Sequence, residues 1–146
     1  MSSISEFMTE KHRECDDVFA QAEAAVSKEN WPEATTLWQT FVNELETHLQ
    51  SEEEILFPKF EAATGMTSGP TAVMRMEHGQ MRSLVTQISA SLNEKNKSEY
   101  LSAAETLMVL MQQHNMKEEM MLYPMSEQHI PDANAVTPEL ANYTLE

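Results

Sequence analysis

Apolar residues recur at three- and four-residue intervals along most of the chain, the spacing that lines one face of a helix. Met8, His12, Cys15, Phe19 and Ala22 form the first such stripe, and Phe41, Leu45, His48, Glu52 and Ile55 the second. Met74, His78, Met81, Val85 and Ile88 make the third, and Leu107, Met111, His114, Glu118, Met121 and Met125 the fourth. Only three glycines interrupt the pattern, two of them in the stretch TGMTSGP at 64–70. Ser3 with Glu6, Asn30 with Glu33 and Asn96 with Glu99 carry the capping-box spacing that opens a helix. The third helix is expected to open around Ser68 to Pro70, with proline in its first turn. The prediction is all-α: helices over about 3–28, 31–63, 70–94 and 97–128. Their short connections favour antiparallel neighbours, hence an up-down-up-down four-helix bundle over residues 1–130. Residues 131–146, with Pro131 and Pro138, are expected to be a C-terminal tail that at most caps the bundle through Leu140 and Tyr143, with a short turn after Thr137.

The two halves of the chain match at an offset of 66 residues. HLQSEEEILFP at 48–58 answers HNMKEEMMLYP at 114–124, and the same offset maps His12 onto His78, Asn30 onto Asn96 and Glu33 onto Glu99. Two helix hairpins related by a pseudo-twofold axis would place these equivalent residues across one core.

Four histidines and two glutamates therefore sit on stripes where apolar side chains belong. Each predicted helix contributes one histidine, and the second and fourth add a glutamate one turn later. A lone core histidine usually hydrogen-bonds to backbone, and a His/Glu pair at i,i+4 is usually a surface pair. Six such residues in a repeated register are different, because unpaired buried carboxylates cost several kcal/mol each or must take up protons. Cations remove that cost, and an imidazole and carboxylate set suits iron, manganese or zinc. Glu53, Glu54 and Glu119 turn off the stripes and are expected on a solvated face. His129 is expected at the surface, Cys15 as a small buried filler and most of the twelve methionines as packing.

Composition narrows the partners. Nine basic against twenty-four acidic residues give a net charge of −15, which argues against nucleic acid and anionic membranes. No stretch reaches the roughly 20 apolar residues of a membrane span and no leader-like segment is evident at the N-terminus, so a soluble, cytoplasmic location is expected. A single cysteine excludes an intramolecular disulfide.

HLQSEEEILFP, HNMKEEMMLYP and PTAVMRMEHGQMR resemble the hemerythrin-like HHE cation-binding domain over about residues 8 to 125. The resemblance implies a non-haem di-iron centre, oxo- or hydroxo-bridged, with His12, His48, Glu52, His78, His114 and Glu118 as ligands and the glutamates bridging. Dioxygen carriers of this kind have a fifth histidine four residues after the one in the third helix, and Arg82 stands there in this chain. The set is closer to the four-histidine, two-glutamate subgroup that includes iron–sulfur cluster repair and nitric oxide-handling proteins, although their N-terminal cysteine-bearing region has no counterpart in this sequence. The expected function is binding of, or reaction with, dioxygen, nitric oxide or peroxide at positions left open on the irons. A gas-sensing or storage module, with a redox or signalling protein as partner, is the alternative; a zinc or manganese structural bundle is a third reading. No further residue has the spacing of a general acid or base, and turnover, oligomeric state and physiological ligand stay open.

Overall fold

The computed structural model describes residues 2–145, and every regular element among them is helical. Helix α1 spans Ile4–Ser27, α2 Trp31–Ser51, α3 Phe57–Thr64, α4 Pro70–Asn93, α5 Lys97–Lys117 and α6 Tyr123–His129. A 3₁₀ turn at Ala133–Ala135 leads to the short α7 at Val136–Ala141. Because α2 continues into α3, and α5 into α6, through π turns at Glu52–Leu56 and Glu118–Leu122, the long elements form four rods. α1 packs along α2 and α4 along α5; the two hairpins close where α1 meets α5 and α6 and where α2 meets α4. This is the predicted four-helix bundle.

The caps explain where the rods begin. Ser3 Oγ accepts from the Glu6 N–H and Glu6 Oε1 from the Ser3 N–H, both at 3.1 Å, which completes a reciprocal box. Asn30 and Asn96 accept from the N–H groups of Glu33 and Glu99 at 3.4 and 3.1 Å. α4 begins on Pro70, after Gly69, with no side-chain cap. The hairpin turns are built alike: Glu29 and Lys95 have left-handed φ values of 58° and 54° directly before the capping asparagines. Such a conformation costs a residue with a Cβ roughly 1–2 kcal/mol.

The π turns alter the inward register. The Phe57 N–H reaches back to the Glu52 carbonyl and the Tyr123 N–H to the Glu118 carbonyl, five residues rather than four. Pro58 and Pro124 come immediately after, and a proline within a helix lacks the N–H and crowds the carbonyl four residues back. The wider turn accommodates it and rotates the side chains beyond it. Met121, expected on the stripe, is 56% exposed, while Leu122 is buried; Ile55 likewise is only half-buried beside buried Leu56.

Two apolar clusters fill the bundle. One centres on Phe19, Trp38, Phe41, Tyr100 and Leu107; the other gathers Ile4, Met8, Leu56, Phe57, Phe60, Leu122 and Tyr123. The histidines and glutamates form a polar band between them. Val136 and Leu140 of α7 are buried in the second cluster, and the Tyr143 hydroxyl donates to Gln50 Oε1 at 3.0 Å and also meets Glu54. Among the described residues no helix is long and apolar enough to cross a membrane.

Candidate metal centre

His12 comes from the middle of α1 and His78 from that of α4, while His48 and His114 lie in the last turns of α2 and α5. Glu52 and Glu118 open the π turns one turn later. All six are buried. Their ligating atoms fall into two sets, His12, His48, Glu52 and Glu118, and His78, His114, Glu52 and Glu118, each with its atoms within 4.8 Å of one another. Both glutamates belong to both sets, and their oxygens are divided. Glu118 Oε1 lies 3.1 Å from His12 Nε2 while its Oε2 lies 3.3 Å from His114 Nε2. Glu52 Oε1 lies 3.1 Å from His78 Nε2 while its Oε2 lies 3.7 Å from His48 Nε2.

The outer ring nitrogens fix these orientations. His12 Nδ1 donates to Glu119 Oε2 and His78 Nδ1 to Glu53 Oε2, both at 2.7 Å, a pair related by the pseudo-twofold. His114 Nδ1 donates to Glu77 Oε1 at 2.8 Å, and Lys117 Nζ holds the other Glu77 oxygen at 2.6 Å. With Nδ1–H engaged, a neutral imidazole presents its Nε2 lone pair to the centre, the tautomer a metal ligand needs. The solvated face expected for Glu53 and Glu119 is corrected by the structure: off their own stripes, they reach histidines on neighbouring rods. Glu54 is exposed, as is His129. Arg82 does not enter the centre; its Nη1 and Nη2 hold both Glu53 oxygens at 2.8 and 3.0 Å, and its Nε donates to Glu46.

Protonation in the metal-free chain follows from this crowding. Burial disfavours charge on His12, but Glu118, Glu52 and Glu119 outweigh it and lift its pKa to about 9. His78 is lifted to about 9 in the same way by Glu52 and Glu53 against burial. Burial, followed by the charge of His12, keeps His48 well below the ordinary imidazole range. Burial and the neighbouring Glu118 push Glu52 up to about 7, whereas Glu118, despite burial, is held well below the usual carboxylate range by His114, Glu52 and His12. Two carboxyls at close range cannot both ionise freely. Glu53 is also buried enough to rise, but His78 and Arg82 bring it down to about 2.

A cation fits this donor set. Glu52 Oε1, Glu118 Oε2, His78 Nε2 and His114 Nε2, the inward atoms of the second set, are buried without a hydrogen-bond partner among the described residues, their contacts being close but misaligned. Four buried polar atoms converging on one point are costly unless something charged joins them. In the first set the hydroxyl of Tyr123 comes between: its oxygen lies 2.7 Å from Glu52 Oε2, 2.9 Å from Glu118 Oε1 and 3.0 Å from His12 Nε2. Phe57, the matching residue of the other half, has no hydroxyl and stacks on His78 with ring centroids 5.5 Å apart. Cys15, a turn from His12, belongs to neither set, and burial, then Glu44, pushes its thiol up to about 12. The functional surroundings missed by sequence reasoning are Glu53, Glu77, Glu119 and Tyr123. Only the match of Tyr123 with Phe57 and the adjacency of Glu77 to His78 hinted at them.

The family model of the hemerythrin HHE cation binding domain matches residues 3–126. An uncharacterized hemerythrin-like protein of Schizosaccharomyces pombe is 28% identical over 138 residues, which is 93% of this chain and 65% of that relative. The chain thus spans about 65% of the length of the curated relative it matches. No solved structure matches it.

Proposed function

The chain belongs to the hemerythrin HHE cation-binding family, and from that premise we propose a non-haem di-iron protein that binds or reacts with dioxygen, nitric oxide or peroxide. His12, His48, His78 and His114 would be terminal ligands, and Glu52 and Glu118 would bridge two irons. The supporting observation is the division of each glutamate's oxygens between two buried sets of donors. Bound iron would supply redox chemistry and open positions for a small ligand.

The chain's own residues prepare the place. The carboxylates of Glu53, Glu77 and Glu119 hold three imidazole rings in the ligating tautomer. Phe57 and Leu56 on one side, with Met81 and Met111 on the other, wall off bulk water, which favours ligands of a few atoms. Tyr123 carries a proton on its Oη between the two bridging carboxylates, and burial, then Glu118 and Glu52, keeps that phenol protonated. It is the group placed to hydrogen-bond a small ligand in the first set.

Anaerobic iron loading followed by metal analysis and ultraviolet spectroscopy tests the reading. Two irons per chain and a change in near-ultraviolet absorption on adding dioxygen or nitric oxide are expected. A reversible change indicates binding, and continued consumption with a reductant indicates an enzyme. Failure to take up iron, with zinc or manganese held instead and no spectral response, would overturn the proposal.

A further inference from the structure

The fourth histidine is an exception. Three of the four outer ring nitrogens donate to a carboxylate, but His48 Nδ1, buried in a residue only 6% exposed, has no hydrogen-bond partner among the described residues. The pseudo-twofold shows what is different. His48 corresponds to His114, and the position corresponding to Glu77 is occupied by Lys11. In the second half an imidazole N–H and a lysine ammonium clamp a carboxylate between them, at 2.8 Å from His114 and 2.6 Å from Lys117. In the first half Ser51 stands where Lys117 does and the lysine comes from the Glu77 position instead; Lys11 meets Glu14, and no carboxylate among the described residues reaches His48 Nδ1.

A cavity of about 240 Å³ lies at this point, bounded by His48 and Lys11 together with Phe7, Met8, Leu140 and Ala141. That is below the 300–1,000 Å³ typical of drug-sized ligands, a size for a metabolite of a few carbons. Lys11 Nζ meets Glu14 at 3.5 Å, in a pair whose side chains are 43% and 45% exposed, and lies 5.4 Å over the Phe7 ring. Exposed pairs of this kind exchange partners at little cost.

We propose that this cavity binds a small monocarboxylate, whose carboxylate takes the place between His48 Nδ1 and the Lys11 ammonium that Glu77 fills in the other half. The inference rests on the proposed ligation in one respect: a metal on Nε2 obliges His48 to carry its proton on Nδ1. The short alkyl part lies against Phe7, Met8 and Leu140. Glu14 and Glu44, which also border the cavity, repel a second negative charge and select against dicarboxylates. Once bound, the ligand supplies the acceptor His48 lacks, makes that ring a stronger donor at Nε2 and so couples a metabolite to metal retention.

The test is a titration of histidine-¹⁵N-labelled protein, metal-free and zinc-loaded, with butyrate, butyramide and succinate, read on the His48 ring resonances. Butyrate is expected to shift Nδ1 saturably, with Lys11→Met and the change to butyramide each weakening binding about tenfold or more, the worth of one charge-assisted hydrogen bond. Lys11→Glu, which builds an acceptor into the chain, is expected to abolish butyrate binding. No saturable shift, equal affinity in Lys11→Met, or equal affinity for butyramide or succinate would overturn the proposal. Zinc retained without a butyrate response defeats this inference alone. A butyrate response in a chain that takes up no metal upholds it and defeats the proposed ligation instead.

Discussion

Replacing Glu53 by glutamine removes one charge and changes almost no volume. Glu53 Oε2 accepts from His78 Nδ1 at 2.7 Å and from Arg82 Nη1 at 2.8 Å, and its Oε1 accepts from Arg82 Nη2 at 3.0 Å. An amide offers one acceptor where the carboxylate offers two, so whichever way it turns one Arg82 N–H faces an NH₂ group, and with the NH₂ in the Oε2 place His78 Nδ1 faces it as well. Hydrogen bonds to charged groups are worth about 1.5–3 kcal/mol, but Glu53 is part-exposed and solvent takes up some of the loss, leaving a stability cost of about 1 kcal/mol in the metal-free chain. The metal site should suffer more, because His78 keeps at best a neutral amide acceptor in place of a charged carboxylate and so becomes a weaker electron donor. Removing such an outer partner costs about 10–100-fold in affinity, or about 1.4–2.8 kcal/mol. Competition against a chromophoric chelator under anaerobic iron loading measures this, with Glu54→Gln as the control and Glu52→Ala and Glu118→Ala as the severe limit. Wild-type affinity in Glu53→Gln, or a loss no greater than that in Glu54→Gln, would refute the reasoning.

Tyr123→Phe leaves two buried carboxylates without their hydroxyl donor; metal-free stability should fall by about 1–3 kcal/mol and metal-loaded stability by less, as thermal melts of both forms would show. The pH dependence has a definite sign. Glu52, His12 and His78 have raised folded-state values, so the metal-free native state holds protons that the unfolded chain releases and their contribution is lost as pH rises; His48, held low, works the other way below about 6.5 and offsets Glu52 there, so the decline should run from about 6.5 toward 9. Glu53 has a lowered value, so its contribution is lost instead as pH falls from 4.5 toward about 2. Urea midpoints should therefore be highest between about pH 5 and 6.5 without metal, whereas metal uptake, which displaces the same protons, should strengthen toward alkaline pH. Leu140→Ala should cost about 2–5 kcal/mol by denaturant unfolding, since that side chain is 4% exposed in the second cluster; a loss under about 0.5 kcal/mol would show that the tail is dispensable.

The stripes and the 66-residue repeat are enough to read the four rods, their caps and the convergence of the six polar side chains, because each depends on periodicity along one helix. What depends on two helices is hidden. Glu53 and Glu119 lie off the stripes, which along a single helix means solvent, yet they span to His78 and His12 on neighbouring rods. Glu77 follows no period at all, and its role is visible only with His114 and Lys117 beside it. Met121 falls inward only if the pattern is extended at a constant 3.6 residues per turn, through a segment where Pro124 and the preceding π turn change the pitch. The predicted helices run through Pro58 and Pro124, as the rods do, but a periodic pattern carries no sign of the wider turn that each proline brings with it.

The exchange of a phenol for a phenyl ring between positions 123 and 57 breaks the mirror at the centre of the molecule. Under the proposed ligation the two seats differ in local dipole and in available protons, so ions would enter them with unequal affinity. Filling should then be stepwise, with a half-loaded chain as a distinct species and mixed pairs of unlike metals as an accessible state.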